Sequence, residues 1–268
     1  MPFTPSHAVI ALPFIRTPLV PSAIAIGAMT PDLPLFLRGF GVSYSFTHTV
    51  GNVVWTALIA FGLFLLWRVV LRPAVPELAP AVLARRVPSE WTDAGMSAFR
   101  HAVGVGQRRG YPVLLALSFI LGVLSHIAWD LFTHEGREGV QLIPVLGAMW
   151  GPLPGYKWLQ HGSSAIGLVI IAVWVVLRLR RSEQHAVTTR FLPAWVRISW
   201  WMSLPVILGV AWGIGPVVHG PLDAEFTVQH LAYRMLPAAC AIWGGVTLLL
   251  CLALPLFRRT GEPARPQD

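Results

Sequence analysis

His126, Asp130 and His134 follow one another at four-residue intervals near the end of a long apolar run, in the stretch SHIAWDLFTH. On a helix each such step turns the chain by about 40°, so the three side chains share one face. Imidazole and carboxylate groups without cysteine suit Zn²⁺, with Mn²⁺ or Fe²⁺ as alternatives. One ion cannot easily take both histidines: a continuous helix separates them by about 12 Å, against a Zn–N bond of about 2.0–2.1 Å. Two ions, about 3.5–4 Å apart in hydrolytic pairs, are easier to build, because Asp130 sits midway and can bridge. A helix break near Thr133 would release His134 to swing elsewhere.

Other candidates flank the apolar runs. MTPDLP offers Asp32, with Thr30 expected as helix N-cap and Pro31 in the first turn. SFTHTVGN offers His48, and GYKWLQHGSS offers Lys157, Gln160 and His161. FTPSHAVI offers His7, with Thr4 expected as N-cap and Pro5 after it. His7 can join the others only if residues 8–29 fold back, which Pro13, Arg16, Pro18 and Pro21 favour. Taken singly these residues have ordinary readings: Asp32 as a helix-start carboxylate, His48 and His161 as interfacial residues. Ionisable groups beside apolar segments are costly, so their convergence points to function. His219, Asp223, Glu225 and His230 form a further polar group, read either as solvated loop residues or as an entrance and spare ligands.

The elements that must position these residues follow from composition. Of 268 residues, 55% are hydrophobic and 12% charged, about half the charge of a soluble domain. Five windows, 50–71, 113–131, 163–179, 196–218 and 238–257, lie close to the roughly 20 residues that cross a bilayer. Window 8–29 is weaker, being broken by prolines. The expected fold is all-α: a polytopic transmembrane helical bundle with five clear spans and one broken or re-entrant N-terminal element. The ten-residue alternation of a membrane barrel is absent. Cys240 and Cys251 would lie about 16 Å apart on one helix and cannot pair.

The net charge is +8, and fifteen of the twenty Lys and Arg fall in or beside segment 72–112, the loop after 177, and the tail. That bias marks these three regions and the C-terminus as cytoplasmic. Loops 30–49, 132–162 and 219–235 then face outward, with the candidate site at the outer rim. No aromatic-interleaved basic surface is present, so nucleic acid is not an expected partner. Segment 72–112 is expected to form two short amphipathic helices, VPELAPAVLARR and SEWTDAGMSAFRHAVG. Ser89 or Thr92 would cap the second, with Trp91, Met96 and Phe99 toward the membrane. Residues 1–257 read as one helical membrane domain and 258–268 as a disordered tail. Trp129, Trp150, Tyr156 and Trp158 would form an interfacial belt.

MPFTPSHAVIALPF, PSAIAIGAMTPDLP, SFTHT, LGVLSHIAWDLFTH and YKWLQHGSSAIGL resemble DUF4184, a bacterial membrane family, across residues 1–168. The last hundred residues match mainly in hydropathy. The resemblance implies a multi-pass protein of the bacterial cytoplasmic membrane. A looser resemblance, resting on residue order, is to membrane-bound metal-dependent hydrolases and zinc-dependent phospholipase C, an all-helical fold. The order there is His, Asp, His, His-x-x-x-Asp, His, His; here it is His7, Asp32, His48, His126, Asp130, His134, His161. That resemblance implies one zinc held by Asp32, His48, His126 and Asp130, a second shared by His7 and Asp130, and a third near His134 and His161. Two features depart from it: Ala165 stands where the phospholipase has a Glu, and its processed N-terminal ligand has no counterpart.

The leading expectation is a membrane-embedded, metal-dependent hydrolase of a phosphoester on a lipid or lipid-linked headgroup. It would hold one or two divalent ions. Lys157 would stabilise phosphoryl charge, and His134 or His161 would protonate the leaving group. The rivals are a metal- or proton-handling transporter and a non-catalytic protein with a structural metal site.

Overall fold

Leu, Val, Ala and Phe dominate the long runs, and in hydrocarbon a backbone must satisfy its own hydrogen bonds, so these runs become helices. The computed structural model describes residues 3–39, 41–185 and 190–261. A 3₁₀ segment, Thr4–Phe14, opens the chain. There follow α1 (Pro21–Met29), α2 (Leu33–Phe36), α3 (Tyr44–Thr47), α4 (Val53–Leu66), α5 (Val75–Leu78), α6 (Ala81–Ala84), α7 (Gly95–Ala102) and α8 (Tyr111–Thr133). Then come α9 (Glu138–Leu142), α10 (Gly155–Arg181), α11 (Ala194–His219) and α12 (Val228–Gly261). Strands Met149–Trp150 and Leu153–Pro154 pair antiparallel as a small hairpin before α10. Five helical stretches are long and apolar enough to cross a membrane: Val50–Leu78, Tyr111–Thr133, Gly155–Arg181, Ala194–His219 and Val228–Pro255. The chain is an all-α, multi-pass membrane protein.

The helices outrun the hydropathy windows. The first span continues past Leu71 through a π turn, Trp67–Leu71, and a 3₁₀ turn to Leu78. α10 starts eight residues before window 163–179, so Lys157, Gln160 and His161 stand on the helix rather than ahead of it. α12 likewise carries His230 and runs to Gly261, so residues 258–261 of the expected tail are helical; 262–268 lie outside the described residues. The expected second amphipathic helix is split into a 3₁₀ turn, Ser89–Thr92, and α7, and Gly95 turns the chain at φ 61°. Neither Ser89 nor Thr92 caps it: the Thr92 hydroxyl donates to the Ser89 carbonyl.

The chain forms two compact units. The first comprises residues up to Pro34, Phe40–Leu66 and Arg100–Ser182. Its apolar core gathers Ala23 of α1, Ala60 and Phe64 of α4, and Leu115 and Phe119 of α8. α1 and α8 touch backbone to backbone. A Cβ at Gly27 would sit 2.7 Å from the Phe119 carbonyl oxygen, and one at Gly122 would collide with the Ile24 carbonyl. Glycine at both positions is what permits the approach. The 3₁₀ segment folds back on α1 and rests on α10, where a Cβ at Gly167 would already lie 3.1 Å from the Ser6 carbonyl oxygen.

The second unit comprises Leu35–Gly39, Trp67–Phe99 and residues from Glu183 onward. Here α11 packs on α12, and Ala74, Leu78, Leu192, Cys251 and Leu254 form a core. Trp91 meets Trp67 edge to face, with centroids 5.7 Å apart.

Candidate metal centre

α8 sets out the first part of the site. Four-residue spacing puts His126 and Asp130 on its inner face, both buried, with their Nε2 and Oδ2 atoms 3.4 Å apart. The helix stops at Thr133, and His134 is extended, with φ −127° and ψ 141°. That break brings His134 Nδ1 back to within 3.5 Å of Asp130 Oδ1.

The end of α1 supplies the second part. A 3₁₀ turn, Thr30–Asp32, buries Asp32. Thr30 is not an N-cap here, because its hydroxyl donates to the Ile26 carbonyl at 2.7 Å. Thr4 is not one either: its hydroxyl donates to Asp32 Oδ2 at 2.7 Å, leaving Oδ1 to face the site. α3 supplies His48, capped at its own start by Ser43. The Thr47 hydroxyl donates to the Pro31 carbonyl at 2.7 Å and ties α3 to the Asp32 turn.

The two central imidazoles are oriented by main-chain carbonyls. His126 Nδ1 lies 2.7 Å from the Ala28 carbonyl, a contact made possible by the close α1–α8 approach. His48 Nδ1 lies 2.9 Å from the Tyr44 carbonyl. A carbonyl only accepts, so each Nδ1 carries a proton, and in the neutral ring Nε2 is the nitrogen left with a lone pair. The two Nε2 atoms face each other at 3.2 Å.

Around them stand the carboxylates. His48 Nε2 is 3.5 Å from Asp130 Oδ2 and 3.9 Å from Asp32 Oδ1; His126 Nε2 is 3.7 Å from Asp32 Oδ1. Four ligand atoms at Zn–N and Zn–O bond lengths around a tetrahedral ion would stand about 3.3–3.4 Å from one another. The His48–His126–Asp130 triangle, with sides of 3.2–3.5 Å, is close to one face of that arrangement, and Asp32 Oδ1 stands 3.7–3.9 Å from both imidazoles. Among the described residues no Lys or Arg forms an ion pair with Asp32 or Asp130. Two buried carboxylates with facing imidazole lone pairs are unfavourable without a cation. These buried His and Asp groups could hold a metal ion, and His7, Asp32 and His126 form a second, overlapping set.

His7 is brought in by the folded-back 3₁₀ segment. Its ring stacks on His126, centroids 4.1 Å apart, and its Nε2 is buried with no partner. Burial, reinforced by His126, pushes this imidazole down to about 3, so it is neutral and able to ligate. Asp130 Oδ1 is likewise buried and unpartnered by a hydrogen bond. Burial raises the Asp32 carboxyl above its usual range, with the His126 imidazole and the Thr4 hydroxyl opposing.

His134 stands at the rim, its side chain one-fifth exposed. Burial lowers it to about 4. Its Nδ1 donates to the Asp130 carbonyl, and its Nε2 accepts from Gln160 Nε2 at 3.3 Å. Gln160 Oε1 in turn accepts from Lys157 Nζ at 3.0 Å. Lys157 therefore reaches the site only through Gln160 and His134.

His161 is not brought in. It is exposed and belongs to neither donor set, because one residue turns α10 by about 100° and Gln160 takes the inward position. Tyr156 leaves the expected aromatic belt: it is buried, and its hydroxyl donates to Glu135. Trp129, Trp150 and Trp158 remain exposed. In the second unit, His219 bonds Arg234, Asp223 holds the amides of Glu225 and Phe226, and His230 bonds Thr227, so that polar group closes on itself.

Tyr44 is the residue that sequence reasoning passed over. Its ring stacks on His48 at 3.7 Å between centroids, and its hydroxyl donates to Asp130 Oδ2 at 3.4 Å. Its place four residues before His48 was the available signal.

The family model for a domain of unknown function, DUF4184, matches residues 1–247. The chain belongs to the DUF4184 family. The match covers α1 to α11 and most of α12, and so every residue of the two donor sets. No curated protein and no solved structure matches the chain.

Proposed function

We propose that this DUF4184 protein is a membrane-embedded, metal-dependent hydrolase acting on a phosphoester of a lipid or lipid-linked headgroup. The observation that carries the metal reading is the pair of facing Nε2 lone pairs, 3.2 Å apart beside two buried carboxylates. Zinc suits the donors best, through His48, His126, Asp32 and Asp130. His7 Nε2 and Asp130 Oδ1, neither of which takes part in a hydrogen bond, are the donors for a second ion. A divalent ion at such a site supplies Lewis acidity and acidifies a water toward neutral pH. Thr4 and Tyr44 orient the two carboxylates, and the Ala28 and Tyr44 carbonyls hold the imidazole tautomers. His134, half-buried at the rim and neutral, is the group placed to accept a proton from the attacking water and pass it on to the leaving oxygen, with Gln160 and Lys157 positioning it. The Lys and Arg bias supports a site on the outer side of the bacterial cytoplasmic membrane and a C-terminus inside.

A structural metal is the second reading, and one observation favours it: Asp32 Oδ1 stands 3.7–3.9 Å from both imidazoles of the His48–His126–Asp130 set, near enough to be its fourth protein donor and leave no open position. The hydrolytic reading rests on the two further unpartnered atoms, since an ion held by only two or three protein ligands keeps positions for water and substrate. Metal analysis of the purified protein, with a phospholipid-hydrolysis assay, tests both. One or two divalent ions per chain with headgroup release, both lost in His126→Ala, is the expected result. Metal-free protein overturns the proposal, and bound metal without turnover of any lipid phosphoester favours the structural site.

A further inference from the structure

A cleft of about 340 Å³ opens in the first unit between the 3₁₀ segment, α8 and α10. Ile10, Trp129, Ile166, Gly167 and Ile170 form its apolar walls, and His7 is among its few polar lining residues. Three features set it apart from an ordinary packing groove.

The first is its medium. Two of its walls are helices apolar and long enough to cross a membrane, and Ile166 and Ile170 are exposed at its lip. What faces the opening is hydrocarbon, not water. The second is a polar group in its lining. The unpartnered, buried His7 Nε2 belongs to the ring that lines the cleft, and that ring stacks on His126. One imidazole therefore separates the cleft from the metal centre. A neighbouring cleft of about 280 Å³ between α4 and α8 has only apolar walls and touches no such group. The third is its run. From Ser163 to Ile170 the wall advances about 10 Å along α10, and Ile170 stands near the middle of that helix. The cleft thus runs from beside the residues that flank the centre toward mid-helix, about two-thirds of the roughly 15 Å depth of one leaflet.

We propose that this cleft receives one fatty-acyl chain of a phospholipid, drawn sideways from the bilayer, with the headgroup phosphoester beside His7. The inference rests on the hydrolase reading for what then happens to the headgroup. A chain ending at mid-helix has the reach of a single leaflet, which suits an acyl chain and not a polyisoprenoid of several times that length. Glycine at 167 lets the 3₁₀ segment lie close against α10, so that Ser6 and His7 line the cleft together with that helix.

The test is photolabelling in lipid nanodiscs with a phospholipid carrying a diazirine near its acyl terminus, read by peptide mapping. Ile10, Ile166 and Ile170 should label several-fold above Val54 and Leu58, which are lipid-facing residues of the neighbouring cleft. Ile166→Trp and Ile170→Trp, each filling the cleft from its lip, should cut that labelling several-fold while bound metal stays unchanged. Asp130→Asn should lose metal yet keep the labelling, so failure of the metal reading and failure of the lipid site give different patterns. Labelling that simply follows exposure over all lipid-facing helices, or that survives both Trp variants, overturns the proposal. Displacement of the label by a polyprenyl phosphate but not by unlabelled phospholipid overturns the acyl assignment.

Discussion

In the second unit Trp200 donates its indole proton to Thr247 at 2.9 Å, Trp243 donates to Ser203 at 3.1 Å, and Glu77 accepts the amides of Phe191 and Leu192. In the first unit His48 and His126 aim bare nitrogens at each other, with carboxylate oxygens on either side. Both sets are polar groups beside apolar helices. In the second unit each of these donors meets an acceptor, and the network acts as glue between helices. In the first unit, with both rings neutral, acceptors meet acceptors, and a metal ion or an added proton is what reconciles them. The contrast is between polar residues that satisfy one another and polar residues that could hold a metal ion.

The largest break in that contrast is Asp130→Asn. Asp130 contacts both imidazoles and His134, so the substitution should lower metal affinity by more than about 100-fold, beyond what loss of a supporting partner costs. Metal analysis after dialysis reads it. Glu77→Gln, in the second unit, should leave the metal in place although Glu77 is also a buried carboxylate. Loss of metal in both variants would erase the distinction.

Chelation comes next. A ligand present at about a thousand times its Kd stabilises the folded state by about 4 kcal/mol. EDTA should therefore lower the unfolding temperature of the native protein and leave Asp130→Asn unmoved. An equal shift in both would assign the effect to something other than this centre.

Much of this was legible in the chain, and the rest was hidden for definable reasons. Hydropathy found five spans because lipid contact is a property of composition. The proline-broken N-terminus pointed to a fold-back, which is what brings His7 against His126. The helix starts were not legible, because window 163–179 begins where the strongly apolar run begins, whereas α10 starts earlier, through Gly155, Tyr156, Lys157 and Trp158 at lower hydropathy. Thr4 and Thr30 read as caps since a hydroxyl before Pro is a local signal; in the fold their protons go to Asp32 and to the Ile26 carbonyl. His161 and Gln160 are neighbours in sequence, and only the rotation of α10 decides which one faces inward.

Thr4→Val and Tyr44→Phe sharpen the comparison at the next level down. Each removes a hydrogen bond to a ligating carboxylate without removing a donor atom. Metal affinity should fall by about 10–100-fold, with Thr4→Val nearer the upper end. Its bond is 2.7 Å long against 3.4 Å for Tyr44, whose ring still stacks on His48 in the variant. Competition with a metal-sensitive dye measures both. No change in Thr4→Val would mean that Asp32 is not held by this hydroxyl in the loaded protein.

The smallest effect belongs to the second unit. Thr247→Val keeps the shape of the side chain and removes the acceptor for the Trp200 indole. Interhelical bonds of this kind average about 0.6 kcal/mol, because in the bilayer the separated helices find other partners. The indole of Trp200 is also packed on Trp201 and Trp243, with centroids 5.0 and 5.3 Å away, which the substitution leaves intact. Unfolding in mixed detergent should show that small loss, with bound metal unaltered. A loss of several kcal/mol would mean that the indole proton has no alternative partner. The Trp–Thr pair would then resemble the His–Asp cluster in the cost of being left unmet, and the contrast between glue and ligand site would rest on the cation alone.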